Sequence, residues 1–148
     1  MADIAVQTQI AAPPERVFEL VADVPGAAER ISGITQVELL TEGAVGLGTR
    51  WRETRGRMGT EELEVTRFEP PESFGTACES CGCRFDSVFR LEPIGDGTKV
   101  TLTVATEAMT LFAKLMLPVS KLMAGSMKRA LAGDLADLKR AAEAQQPG

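Results

Sequence analysis

Between Ile34 and Thr106 the chain is cut into six short extended runs, and the connections between them are too brief for anything but antiparallel pairing. The runs are Ile34–Thr41, Leu47–Arg55, Glu61–Phe68, Ser73–Cys78, Cys83–Leu91 and the alternating set Val100, Leu102, Val104 and Thr106. Gly43, Gly46 and Gly48 punctuate the first connection, Pro70-Pro71 a later one, Glu79 to Gly82 a tight hairpin, and Pro93-Ile94-Gly95-Asp96-Gly97 the last. A parallel crossover needs a dozen or more residues, usually a helix, so these runs pair as a meander. Upstream, Ile4, Val6, Thr8 and Ile10 alternate with polar or small residues and predict a first strand. Pro13-Pro14-Glu15-Arg16 then opens a helix whose apolar face is Val17, Phe18, Leu20 and Val21, and Ala27 to Ile31 predicts one further helical turn.

A sheet of this kind must bury one face, and only the stretch from about Thr110 to Ala144 is long enough to lie across it. Met109, Met116, Met123 and Met127 recur there at spacings of seven, seven and four, with Phe112, Ser120 and Leu131 between them, which predicts one helical face. Lys114, Lys121 and Lys128 recur at seven as well and fall on the opposite side. Thioether side chains adapt to irregular shapes, so a methionine face suits either ordinary core filling or a pocket whose occupant varies. Pro118 should kink or break this helix in its first third. The 148 residues read as a single domain, 1–148, with 144–148 as a loose tail.

The helix after strand one, the meander and the closing helix give an α+β architecture that resembles the helix-grip fold of the START-like (SRPBCC) superfamily. Within it the chain is most similar to the polyketide cyclase/dehydrase and lipid-transport branch. The resemblance rests on Ala12-Pro13-Pro14-Glu15-Arg16-Val17-Phe18, on Gly46-Leu47-Gly48-Thr49-Arg50-Trp51, and on Phe68-Glu69-Pro70-Pro71. Gly95-Asp96-Gly97-Thr98 and Asp134-Leu135-Ala136-Asp137-Leu138-Lys139 complete it. It implies an antiparallel sheet of about seven strands wrapped around a long C-terminal helix, with two short helices after strand one and a cavity between sheet and helix. None of these segments is catalytic in itself, and members range from cyclases to carriers, so the fold alone does not choose a function.

Chemistry is constrained first by two absences: the chain has no histidine and no tyrosine. Proton transfer near neutral pH would fall to carboxylates, lysine or a thiol, which lowers the expectation of catalysis. In the third strand Thr49, Trp51, Glu53 and Arg55 share a face. If Trp51 points inward, so do Glu53, a candidate acid or base, and Arg55, a candidate contact for a carboxylate or enolate. The alternatives are a satisfied Glu53–Arg55 pair at the cavity mouth, or a bulge near Gly56 that turns Arg55 outward. Cys78, Cys81 and Cys83 have metal-like spacing, but there is no histidine or fourth cysteine to complete a tetrahedral site, so no metal and no cofactor are expected. They read as free thiols around a turn. Arg50, Arg52, Arg55 and Arg57 split between two faces and are offset by Glu53, Glu61 and Glu62; with a net charge of −5 they do not suggest nucleic acid.

Three functions follow. The first is binding or transport of a small hydrophobic molecule, of lipid or polyketide type, in a pocket lined by Trp51, Phe85, Phe89, Met109, Phe112, Met116, Met123 and Met127. The second is a polyketide aromatase/cyclase using Glu53 and Arg55. The third is a membrane-surface or protein-partner module using the lysine face. The opening Met1-Ala2-Asp3-Ile4 lacks the basic start and apolar core of a secretion signal, so the chain reads as cytoplasmic, a monomer or homodimer.

Overall fold

A computed structural model describes residues 2–56, 59–80, 82–116 and 124–144. Strand β1 (Ala2–Ile10) leads into α1 (Pro14–Ala22) and the single turn α2 (Ala27–Arg30). Then come β2 (Gln36–Leu39), β3 (Arg50–Thr54), β4 (Thr60–Glu69), β5 (Ser73–Ser80), β6 (Cys83–Ile94) and β7 (Gly97–Ala108), followed by α3 (Leu111–Leu115) and α4 (Ala124–Ala144). The seven strands form one antiparallel sheet in the order β1-β7-β6-β5-β4-β3-β2. This is the helix-grip arrangement: a meander from β2 to β7 whose last strand is sealed by the first, with helices gathered on one face.

Register shows which side chains share that face, because directly opposed residues point the same way. One row runs Leu39, Trp51, Leu63, Cys78, Phe85 and Thr106 across six strands. A parallel row joins Phe74, Phe89, Leu102 and Val6. Beyond it, Leu91 pairs with Val100. Val6, Phe74, Leu91, Val100, Leu102 and Val104 are buried, whereas Leu63, Phe85 and Phe89 are only half-buried.

α1 covers one end of this face. Proline in its first turn forfeits a donor that the helix has no use for, and Val17, Phe18 and Leu20 supply the buried stripe. The Phe18 ring meets Phe68 at 5.5 Å and Phe74 at 6.2 Å, edge-on in both cases, in the geometry that aromatic quadrupoles favour. α4 packs on β1 and α1, with α2 beside it, through Leu135, Leu138 and Ala142.

The closing helix expected from Thr110 to Ala144, with a kink or break at Pro118, is described as α3 and α4, which lie on either side of residues 117–123. Their supports differ. The Thr110 hydroxyl caps α3 by accepting from the Ala113 N–H at 3.1 Å, and the Met109 N–H donates to the Gly82 carbonyl at 2.8 Å. Gly82, at φ +76°, permits this docking, since a Cβ there would lie 2.5 Å from Thr110 Oγ1. α3 is therefore held by the β5–β6 turn, while α4 is held by β1 and α1, and no helix among the described residues spans both. Met109 precedes α3 and is not helical. Pro118, Lys121 and Met123, along with Arg57 and Cys81, lie outside the described residues.

Candidate functional site

Toward the β5–β6 turn the inner sheet face changes character. Glu53 and Glu61 oppose one another on β3 and β4, and the Ser80 hydroxyl donates to Glu61 Oε1 at 2.9 Å. Cys83 pairs with Ser80 across the hairpin. A polar row thus lies next to the apolar row of Trp51, Leu63, Cys78 and Phe85.

Trp51 is buried, with its ring on the inner face. Its indole N–H donates to Glu53 Oε1 at 3.2 Å, and Arg55 Nε donates to Glu53 Oε2 at 2.9 Å. The other end of the guanidinium makes a two-pronged contact with Asp134 on α4, at 3.2 and 2.9 Å. Of the alternatives for Glu53 and Arg55, the satisfied pair is what occurs, extended to a third member. Asp134 is a site residue that sequence reasoning misses.

The electrostatics follow from this crowding. Burial works against the Arg55 charge, yet the hydrogen bonds and charge of Asp134, then those of Glu53, hold it well above the ordinary arginine value. Two carboxylates share one guanidinium, and burial, supported by repulsion from Glu53 and Asp137, leaves Asp134 above the usual carboxylate range despite Arg55. Burial pushes the Cys78 thiol up to about 11, with the carboxylates of Glu61 and Glu53 adding to the shift. That thiol stays protonated near neutral pH and is no nucleophile. Cys78 lies on the inner face, and Glu79 on the outer.

The remaining sequence-predicted residues separate. Phe85 and Phe89 lie on the inner face beside the core. Met109, Met116 and Met127 are exposed, and Phe112 is 71% exposed, so the expected burial of the methionine stripe does not hold for its described members. The reason is local: α3 turns Ala113 inward, and the first turns of α4 extend beyond the surfaces that bury its second half. Two clefts lie away from the inner face and are rimmed by ion pairs. One, of about 560 Å³, sits between α1, α2 and α4 around Arg16, Asp23 and Arg30; the other, of about 350 Å³, lies on the outer sheet face around Arg50, Glu62 and Arg84.

Residues 1–143 match the family model described as polyketide cyclase/dehydrase and lipid transport. The chain belongs to this family. Its fold is shared with a solved structure of a START superfamily protein. The protein TTHA0849 of Thermus thermophilus is 25% identical over 99% of this chain and 100% of its own, with a TM-score of 0.75. A START superfamily protein from Mycobacterium smegmatis is 16% identical, covers 97% of this chain and 99% of its own, and also superposes with a TM-score of 0.75. The Aha1 dimer from Colwellia psychrerythraea, at 19% identity, covers 99% of this chain and 100% of its own with a TM-score of 0.71. No curated protein matches the chain in sequence.

Proposed function

We propose that this protein binds a small hydrophobic molecule, of lipid or polyketide type, against the inner sheet face, and that binding rather than turnover is its task. The observation that carries this reading is the incomplete cover over Leu63, Phe85 and Phe89, on the same sheet face as Trp51, Val65, Phe74 and Leu102, which are buried. Aromatic and aliphatic side chains left half-covered on the inner sheet face are what a mostly apolar pocket requires. Trp51 forms one wall, and Met109 and Met127 supply an adaptable apolar border from the closing segment. Catalysis by Glu53 and Arg55 is disfavoured because both side chains are already engaged, Glu53 by Trp51 and Arg55 and the guanidinium by Asp134. The two bonds hold the Glu53 carboxylate against Trp51 and Arg55, so it is not free to turn toward a substrate proton.

Native mass spectrometry of the gently purified protein tests the reading, expecting an apolar adduct. Titration of delipidated protein with an apolar fluorescent probe should alter the emission of Trp51, the only tryptophan in the chain. Phe89→Ala should weaken uptake about tenfold or more, the loss of one well-packed aromatic contact. A clean apo mass together with no uptake of any apolar probe overturns the proposal.

A further inference from the structure

Strand β4 carries four glutamates, and three of them meet a cation. Glu62 and Glu64 face Arg50 on the outer side of the sheet, and Glu69 faces Arg67. Glu61, on the inner side and half-buried, has no cation within ion-pair distance among the described residues. Among those residues the donor it has is the Ser80 hydroxyl, at 2.9 Å. Directly opposite stands Glu53, and like charges so placed destabilise a sheet. Glu53 is relieved by Trp51 and Arg55, but Arg55 also serves Asp134. One guanidinium thus answers two carboxylates, and Glu61 is left with a neutral hydroxyl.

This carboxylate borders the half-covered apolar wall. Glu61 precedes Leu63 by two residues on β4, as Cys83 precedes Phe85 on β6, and residues two apart on a strand share a face about 7 Å from each other. A molecule lying on Trp51, Leu63 and Phe85 therefore brings its end within reach of Glu61. The Cys78 thiol, in the same apolar row, is held up by burial and then by Glu61 ahead of every other charge, so the field of that carboxylate reaches the wall.

Resting on the ligand reading above, we infer that Glu61 selects the polar end of the ligand: the pocket takes an apolar molecule that carries a protonated amine and rejects one that carries a carboxylate. The ammonium donates to Glu61 and supplies the counter-charge that Arg55 does not. Hydrogen bonds to a charged group are about twice as strong as neutral ones, and more so beside apolar side chains than in water. A hydroxyl head donates as well but brings no charge. A carboxylate head has no proton to give and meets Glu61 and Glu53 as like charges.

Dodecylamine, dodecanol and dodecanoate share one chain length and differ only in the head. Each is titrated by calorimetry, below its aggregation concentration and near neutral pH, into the delipidated full chain. The amine is expected to bind at least about tenfold more tightly than dodecanoate, with the alcohol between them, as a hydrogen bond to a charged group requires. Glu61→Gln keeps an acceptor for Ser80 and removes the charge, so it should bring the amine to within about threefold of the alcohol, whose own affinity stays within the same margin. Glu62→Gln removes an equal charge from the outer face and should leave the order intact. Unchanged urea midpoints verify folding, and the order measured on the parent chain needs no variant. Dodecanoate bound as tightly as the amine overturns the inference, as does an amine preference that survives Glu61→Gln or that Glu62→Gln removes equally. In those outcomes the pocket reading stands, because an apolar chain still binds. If none of the three binds, that reading falls and the selectivity falls with it.

Discussion

The two halves of α4 belong to one helix and live in different surroundings. In the second half Leu135, Leu138 and Ala142 are buried, and polar side chains tie the helix to three other segments. Asp134 holds Arg55 after β3; Asp137 accepts from the N–H and hydroxyl of Ser32, each at 3.0 Å; and Lys139 donates to the Gln9 carbonyl at 2.8 Å. Glu143 accepts from the Ala11 N–H at 2.9 Å, fixing the end of β1 as well. In the first half, from Gly125 to Ala130, every residue is exposed and the only side-chain hydrogen bond among the described residues stays within the helix. One end of the grip is thus a built core. The other is a border that a guest or a surface can share.

Equal truncations at the two ends should break this contrast open. Leu138→Ala removes a side chain sealed against the sheet and should cost about 2–5 kcal/mol in urea unfolding, the range for large-to-small changes in a packed core. Met127→Ala, on the exposed half, should stay within about 0.5 kcal/mol. A large loss at Met127 would mean that the first half of the helix is packed after all.

A smaller effect measures the joint between the halves. Asp134 is the first acidic residue after Glu107, and its bond to Arg55 is the link from α4 to β3. In a double-mutant cycle, Asp134→Ala and Arg55→Ala should couple by about 1–3 kcal/mol, as contacting members of one ion-pair network do. Additive losses would show that the pair is a bystander and that burial alone seats the helix.

The fold was legible because its signals were local and repeated. Period-two alternation placed the inner rows of β1, β4, β6 and β7, and short connections forced the meander. Trp51 announced the inward face of β3, and with it the position of Glu53 and Arg55. Asp134 was not legible in the same way, because 79 residues separate it from Arg55 and a helix face offers several carboxylates, Asp137 among them. The demand of a half-buried guanidinium for a partner was the available clue, but it names no address. The closing helix is a related case: a spacing of seven reads as one face on both sides of Pro118, and it does not say that α3 and α4 rest on different supports. Burial of the methionines was the expectation that failed, since periodicity says which residues share a face and not what that face meets.

The smallest expected effect is also the most specific, because Asp134 and Asp137 lie three residues apart and titrate with opposite consequences. Burial pushes Asp134 up, and its Arg55 bonds do not cancel that. Its folded state holds the proton more tightly than the unfolded chain, so this group favours folding below its unfolded pKa and loses that contribution as pH rises through the folded one. Burial opposes the Asp137 charge too, but the Ser32 N–H and hydroxyl, then Arg140, outweigh it and leave the carboxyl below its usual range. Asp137 therefore stabilises the fold above its unfolded pKa, and that contribution disappears as pH falls through the folded value. Urea unfolding at a series of pH values from about 6 down to 3 should separate the two, since aspartates of the unfolded chain titrate at about pH 4, within that range. Asp137→Asn should be less stable than the parent at the upper end, with the gap closing in acid, so its profile is flatter. Asp134→Asn should lose stability more steeply than the parent as the pH falls. Profiles that shift in parallel, with unchanged slope, would mean that neither carboxyl titrates differently in the folded chain and that their bonds to Arg55 and Ser32 act as geometry alone.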